Sequence, residues 1–293
     1  MKLKNSLRFK IIALASAVLV FSMIIMAGFA IYEIRSLLKE QVTNETTSLA
    51  HSTGSQVGLW IDARKAEINV IANSPVFSTG DKQAILAYLH DELRRQPLFE
   101  AFIVADEQGN FYSSATGSGN ITDRKYFQDS IKGLTAVSDL ITARATGNTV
   151  ICVSAPIYKD GKIIGIVGGN VQVGELIKII NQVKIGDQGY AMLVQGDGLI
   201  ATHPRAEFIR KYNILEEKNS SPELAAATKN MLSGQTGYAE YDFDNQQKAI
   251  GYAPVPGMAW GVAVVGLVSE LFSRMCQKAR LYISPKILNR VTL

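Results

Sequence analysis

An uncharged run from Ile11 to Tyr32 constrains this chain more than any other feature. A helix of these 22 residues rises about 1.5 Å per residue and is long enough for a bilayer core of roughly 30 Å. Four basic residues precede the run, and the first acidic residue is Glu33, which is typical of a cytoplasmic N-terminus. We therefore expect a cytoplasmic segment 1–10, one transmembrane helix over 11–32 in the cell membrane, and an extracytoplasmic body after it.

A cleaved secretory signal peptide is the main alternative for this run. Signal peptides have apolar regions of about 7–15 residues that end at a small-residue cleavage site. The run here is longer, and the residues from Ile31 to Arg35 continue directly into a helical pattern. The sequence favours an uncleaved anchor, and a core helix of a soluble protein is disfavoured because it would show a polar face.

Charge and motif content exclude several function classes. Basic residues dominate both ends, whereas residues 33–270 carry 21 basic and 26 acidic side chains, which argues against nucleic-acid binding by the exported body. No P-loop, GxSxG, HExxH or CxxC motif occurs, and the three histidines are isolated in sequence. The sequence predicts no enzyme, no cofactor and no metal site.

A long helix follows the apolar run. From Ile34 to Ile71 apolar residues recur at helical spacing, and no proline occurs before Pro75. We predict a stalk helix over residues 33–75. It either packs on its own domain or also pairs with a second subunit as a homodimer, and the sequence leaves both possibilities open.

The rest of the chain changes to strand periodicity after a second amphipathic helix over 81–95. A short helix is expected to end at Ile131, with Thr122 or Asp123 as its N-cap. The later strand patterns repeat the earlier ones, which indicates two related sheet modules rather than one continuous domain. The predicted strand pairs lie within residues 99–114, 149–173, 189–202 and 253–267.

The most specific stretch runs from Asp123 to Val173. It contains a DR-x-YF element, an A-P-I-Y strand and a G-x-x-G-G-x-V strand. This part of the chain resembles the double-Cache (dCache) extracytoplasmic sensor domains of bacterial methyl-accepting chemotaxis proteins, histidine kinases and diguanylate cyclases. The resemblance covers roughly residues 11–270 and implies an α+β fold. In it, two PAS-like antiparallel-sheet lobes, 76–175 far from the membrane and 176–270 near it, hang on the stalk helix.

The resemblance also implies a role in signal transduction, with a small ligand in the distal lobe. An arginine can bind a ligand carboxylate through two parallel hydrogen bonds, aromatic walls exclude water, and polar acceptors hold an amine. The candidate ligand-binding residues are Arg124, Tyr126, Phe127, Asp129, Asp139 and Asn170.

The sequence departs from the R-x-W-Y-x-D pattern of amino-acid-binding members. Tyr126 stands for the tryptophan, Phe127 for the tyrosine, and Asn170 for an aspartate in the later strand that holds the ligand amine. We therefore expect a small carboxylate or related polar, amino-acid-like metabolite rather than a standard amino acid.

Some of these residues also have purely structural interpretations. Phe127 is expected to pack in the core, Asp123 to cap a helix, and Arg144 to be solvated. Arg124 has the alternative of a salt bridge with Asp129 or Asp139. A second pocket in the proximal lobe is a weaker hypothesis, and its residues would be Tyr190, His203, Tyr238 and Tyr252.

The basic tail, residues 271–293, has no uncharged run longer than five residues and cannot cross a bilayer. Three explanations stay open: a shifted reading frame after about Glu270, a membrane-surface segment, or a stand-alone sensor that acts through a partner. We expect a receptor that lacks its output domain. The alternatives are a membrane-anchored solute-binding protein and the sensor part of a kinase or cyclase.

Overall fold

The computed structural model describes residues 7–277 apart from 116, 218, 219 and 276. The predicted segment 1–10 and tail 271–293 lie largely outside the described residues. Helix α1 runs unbroken from Leu7 to Ala72, about 100 Å at the usual rise. It therefore joins the predicted transmembrane and stalk segments into one element.

The two parts of α1 differ in burial. Side chains from Leu14 to Leu37 are exposed, and among the described residues only this helix is long and apolar enough to cross a membrane. From Leu38 onward the predicted apolar stripe is buried against the body of the molecule, through Val42, Val57 and Ile71 among others. The prediction that the stalk packs on its own domain is confirmed.

The membrane-distal lobe contains a six-stranded antiparallel sheet with the order β3-β2-β1-β6-β5-β4. Helices α2 and α3 precede the sheet, and Asp81 caps α3 by accepting the backbone N–H groups of Gln83 and Ala84. The elements of this lobe are α2 Val76–Thr79, α3 Lys82–Arg95, β1 Phe99–Asp106, β2 Asn110–Ser113, β3 Ser118–Asn120, α4 Lys125–Ser130, β4 Ala136–Thr142, β5 Thr149–Lys159 and β6 Lys162–Gln172.

The membrane-proximal lobe contains a five-stranded antiparallel sheet with the order β8-β7-β11-β10-β9. Apart from β3, this order repeats that of the distal sheet, so the predicted repeat of sheet modules is confirmed. The elements of this lobe are α5 Gly174–Asn181, β7 Tyr190–Val194, β8 Ile200–Thr202, a 3-10 turn Ala206–Phe208, α6 Pro222–Leu232, β9 Gly237–Phe243, β10 Gln246–Pro254 and β11 Gly261–Leu267.

Each sheet has one face toward α1 and one face away from it. In β1, Phe102 and Val104 belong to the large core that includes α1, whereas Ile103 and Ala105 belong to a separate small core. The proximal sheet divides in the same way, with α6 packed on the face away from α1. Two cavities, one in each lobe, lie on these outer faces and are described below.

Three local features differ from what the sequence predicted. Strand β4 was not predicted, because a bulge between Val137 and Leu140 interrupts its alternation. The N-cap of α4 is Arg124 and makes no side-chain capping bond, so neither Thr122 nor Asp123 caps this helix. Residues 268–275 continue as helix, and Leu271 and Met275 are buried.

Candidate functional site

A small cavity lies in the distal lobe between the outer face of the sheet, α4 and the segment that follows β4. Its empty space is about 270 Å³, including the part that opens to solvent. Its polar lining comes from Arg124, Tyr126, Asn170 and Arg144, and Ile103 and Phe111 lie among its apolar walls.

Asn170 lies near the C-terminal end of β6, opposite Cys152 of β5 and Ala101 of β1. Its side chain is 4% exposed, and no hydrogen bond joins its amide to any other described residue. The amide is not among the fully buried polar groups without a partner, so it is open to water from the cavity. Because the amide lines the cavity, a ligand is able to supply the missing hydrogen bonds.

Arg124 is half-buried at the start of α4, where an extended backbone turns its side chain toward the cavity. Its guanidinium makes one long contact, from Nη2 to the carbonyl oxygen of Thr142 at 3.4 Å. Neither of the predicted alternative partners binds it, because Asp129 pairs with Lys125 at 2.7 Å and Asp139 lies elsewhere. Its fork of donors is therefore available to an anion.

Arg144 is a second cation at this cavity. From the sequence we expected its side chain to be solvated. Its guanidinium forms two hydrogen bonds with the Asp123 carboxylate, at 2.8 and 3.1 Å, and also donates to the carbonyl of Asn120. The hydrogen bond from Arg144 is the main cause of the lowered pKa of the Asp123 carboxyl. Asp123 therefore fixes Arg144 at the cavity rather than capping α4.

The loop that carries Arg144 is held from β1. The Glu100 carboxylate accepts hydrogen bonds from Asn148 Nδ2 at 2.9 Å and from the Thr146 hydroxyl. Ala143 exchanges backbone hydrogen bonds with Gly147 and Asn148 across the turn. This bracing keeps residues 143–145 against the mouth of the cavity.

The aromatic pair on α4 divides as the spacing requires. Tyr126 lines the cavity and lies beside the Cys152 thiol, and burial raises the pKa of both groups, that of Cys152 to about 12. Phe127 does not line the cavity but packs in the small outer core. Ser154 of β5 ties α4 to the sheet, since its hydroxyl bonds both Ser130 Oγ and the Tyr126 carbonyl.

Two predicted site residues lie away from the cavity. Asp129 forms an ion pair with Lys125 on the surface of α4. Asp139 faces the proximal lobe, where it accepts a hydrogen bond from Trp260 Nε1 at 2.5 Å, and burial raises the pKa of its carboxyl. The neighbouring Leu140 N–H donates to Gln195 Oε1 at 3.2 Å. The structure thus brings together Arg124, Tyr126 and Asn170 and places Phe127, Asp129 and Asp139 outside.

A second cavity lies in the proximal lobe and has an empty space of about 320 Å³. Tyr190 and His203 line it, as the weaker sequence hypothesis expected. Tyr238 instead bonds Glu240, and Tyr252 packs in the core beside Gly237. In the described part of the chain, no group of three or more His, Cys, Asp or Glu residues has a geometry that suits a metal ion.

Comparison with known proteins identifies relatives of the whole body. The profile of the Cache domain family (dCache_1) matches residues 33–275. The methyl-accepting chemotaxis protein PctB of Pseudomonas aeruginosa is 23% identical over 255 residues, which are 81% of this chain and 38% of that protein. The chain therefore spans about two fifths of the length of this relative.

Solved structures share the fold. The extracellular domain assigned to a histidine kinase, mmHK1S-Z3, superposes with a TM-score of 0.68 at 19% identity and covers 82% of this chain and 98% of that one. The ligand-binding domain of the Pseudomonas fluorescens chemoreceptor CtaA, solved with L-isoleucine, gives 0.65 at 21% identity with the same coverages. These matches confirm the α+β fold with two antiparallel-sheet lobes.

Proposed function

We propose that this chain, which belongs to the Cache domain family, is the extracytoplasmic sensor part of a chemotaxis receptor and binds a small carboxylate in its distal lobe. One observation carries the proposal. An arginine without a carboxylate partner and a buried amide without a hydrogen-bond partner, Arg124 and Asn170, line the same small cavity. A polar ligand that enters the cavity is able to form hydrogen bonds with both groups.

The charges of the cavity favour an anion. Two guanidinium groups, of Arg124 and Arg144, line it, and no aspartate or glutamate does so among the described residues. The nearest carboxylate described at Arg144, that of Asp123, is exposed and already paired. Hydrogen bonds to charged groups contribute about 1.5–3 kcal/mol each, so a bidentate contact with Arg124 and one bond to Asn170 support micromolar affinity, about −8 kcal/mol.

An amino-acid-like ligand is the variant of this proposal that the relatives support. CtaA was solved with L-isoleucine, which carries an ammonium group beside its carboxylate. Among the described residues that line the cavity, the buried side chains that can accept a hydrogen bond from an ammonium group are Asn170, through Oδ1, and Tyr126, through its hydroxyl, and both are neutral. The missing carboxylate therefore favours ligands without a charged amine.

The location and the output of the receptor are also proposals. The exposed apolar part of α1 supports a membrane anchor with the N-terminus in the cytoplasm and both lobes outside. The similarity to PctB favours chemotaxis as the output, and the similarity to mmHK1S-Z3 keeps a sensor kinase as the second candidate. Homodimerisation through α1 stays a prediction; the exposed Leu59 and Val70 are apolar residues on its free surface.

The test is a ligand screen on the full chain in detergent micelles. Thermal shift with small carboxylates, amino acids and amines should identify ligands that raise the melting midpoint by mass action. Arg124→Ala should abolish the shift produced by carboxylates that carry no aromatic ring. Arg94→Ala is the matched control, because Arg94 is an exposed arginine of the same lobe that pairs with Asp91. Equal binding of every ligand by Arg124→Ala and wild type would refute the site.

A further inference from the structure

The proximal cavity is walled by aromatic rings that hold one another in place. His203 lies edge-to-face with Tyr190 and with Phe208, at 4.8 Å between ring centroids in both cases, and Phe208 meets Tyr212 at 5.3 Å. Tyr241 and Phe243 of β9 complete the wall. Such rings offer a slot whose size and flat faces suit a small aromatic body.

The polar groups of this cavity are neutral. His203 Nδ1 accepts the Arg205 backbone N–H at 2.9 Å, and burial lowers the pKa of its imidazole to about 4. The neutral ring therefore carries its proton on Nε2 and offers one donor. Burial raises the pKa of the Tyr190 and Tyr241 hydroxyls, so these groups also stay protonated.

Cations border the aromatic wall. The Arg205 guanidinium lies 4.4 Å from the Phe208 centroid, and it is paired with Asp244 at 3.0 Å. The Lys248 ammonium lies 4.7 Å from the Phe243 centroid. Two of the rings therefore already contact cations, and a positively charged ligand would be repelled where it met them.

Lys248 is the group in this region that lacks a partner. It is 8% exposed and pairs in register with Tyr241, so its side chain leaves the sheet on the cavity face. Beyond its contact with Phe243, no hydrogen bond or ion pair joins it to any other described residue. The nearby Asp244 carboxylate, which is already paired with Arg205, favours the charged ammonium, but burial and the Arg205 charge outweigh it and lower the pKa of Lys248. An anion in the adjacent cavity would therefore stabilise the ammonium.

We propose that the proximal cavity is a second ligand site, for a small aromatic carboxylate whose ring enters the aromatic slot and whose carboxylate faces Lys248. The proposed distal site takes a polar anion between two arginines. The proximal site differs from it because it selects an apolar ring and a single negative charge. It is independent of the distal proposal, since the two cavities share no residue.

Isothermal titration calorimetry on the full chain in detergent tests the site with benzoate, benzyl alcohol and benzylamine. Benzoate should bind saturably, benzyl alcohol more weakly, and benzylamine not at all. Lys248→Met, which keeps the length of the side chain and removes its charge, should weaken benzoate binding about ten- to a hundredfold. Lys82→Met is the matched control, because the Lys82 ammonium lies 4.8 Å from the Tyr112 ring, outside the lining of both cavities; its benzoate affinity should equal that of wild type.

The other outcomes are equally decisive. Absence of saturable benzoate binding, equal binding by Lys248→Met, or loss of binding in Arg124→Ala would each overturn the proposal, the last because benzoate would then occupy the distal cavity. If circular dichroism shows that Lys248→Met does not fold, Arg205→Met removes the other bordering cation at a more exposed position. It should then weaken benzoate binding several-fold, and unchanged binding would contradict the proposal.

Discussion

The two cavities occupy corresponding places in two sheets of the same strand order, yet one is lined by arginines and an amide and the other by aromatic rings. In the distal lobe a central strand, β6, contributes Asn170, and the segments around it contribute Arg124 and Arg144. The equivalent central strand of the proximal lobe, β11, is apolar throughout, and rings from β7, β9 and residues 203–212 form the wall. The same fold thus forms two kinds of cavity. The strands determine where each cavity lies, and a few of the residues that line it determine its polarity.

The largest expected effect comes from a change of charge at the polar position. Asn170→Asp places a carboxylate where the distal cavity has none, so binding of simple carboxylates should fall about ten- to a hundredfold. Binding of L-amino acids should rise, because their ammonium group gains a charged partner. Calorimetry on the full chain measures both, and Asn181→Asp, at the exposed last residue of α5, is the control. If carboxylates bind Asn170→Asp unchanged, the amide does not contact the ligand.

A second prediction tests how much the hydrogen bond between the two lobes contributes to stability. Trp260→Phe removes the indole N–H that donates to the Asp139 carboxylate. Asp139 is an exposed residue of β4, so water replaces part of the bond and the loss of stability should be about 0.5–1.5 kcal/mol. Unfolding in urea should show this loss. Trp60→Phe is a matched control, since Trp60 Nε1 is buried without a hydrogen-bond partner, and its removal should be neutral or stabilising. Equal losses in both variants would mean that the bond to Asp139 contributes nothing.

The proximal cavity should respond to acid. Because the pKa of His203 is about 4 in the folded protein, against an ordinary value near 6.5, the unfolded chain takes up the proton first as pH falls. Stability is thus unaffected by His203 above about pH 6.5 and declines from there to about pH 4, by roughly 2 kcal/mol at pH 5 and roughly 3 kcal/mol at pH 4.

His203→Phe should remove that part of the decline. Melting temperatures of wild type and variant, measured from about pH 8 to pH 4.5, should approach or cross on the acid side. The difference between the two proteins at the alkaline end serves as the reference. A constant difference across the whole range would contradict the assignment of a neutral, buried imidazole.

The smallest expected effect comes from a variant that makes β6 of the distal lobe apolar, as β11 of the proximal lobe is. Asn170→Leu replaces an unpartnered buried amide by an apolar side chain of similar size. The ligand-free protein should gain about 1 kcal/mol of stability while losing affinity for carboxylates. Urea unfolding and calorimetry measure the two effects together. A loss of stability would show that Asn170 has a structural role rather than one in binding.

Periodicity was sufficient for some of the repeated elements but not for β4 or for its counterpart in the proximal sheet, β9. The apolar stripe of α1 and the hairpin of β5 and β6 follow from spacing alone, and the resemblance placed Arg124, Tyr126 and Asn170 at one cavity. Strand β4 escaped because its bulge at Ser138 and Asp139 breaks the alternation. The helical stripe and the hairpin are visible in the local sequence pattern, whereas the bulge conceals β4.

The remaining site contacts are long-range. Asp139 was expected at the ligand but bonds Trp260, 121 residues away, and no spacing rule connects two positions so distant. The Arg144 side chain is 40% exposed, as expected, but its pairing with Asp123, 21 residues earlier, was not predicted. Tertiary packing, rather than local preference, decides the partner of each of these charged side chains.

Two glycines of α1 give the molecule a mechanical property. An added Cβ at Gly54 would lie 2.7 Å from the Pro254 carbonyl oxygen, and one at Gly58 would lie 3.2 Å from Pro256, so the helix and the proximal sheet touch backbone to backbone and must move together. At about 1.5 Å per residue, Leu14 and Gly54 are roughly 60 Å apart along the same helix. Because α1 is packed on the body from Leu38 onward, a tilt of the proximal lobe by a few degrees about these glycines tilts the whole helix and displaces Leu14 by several ångströms.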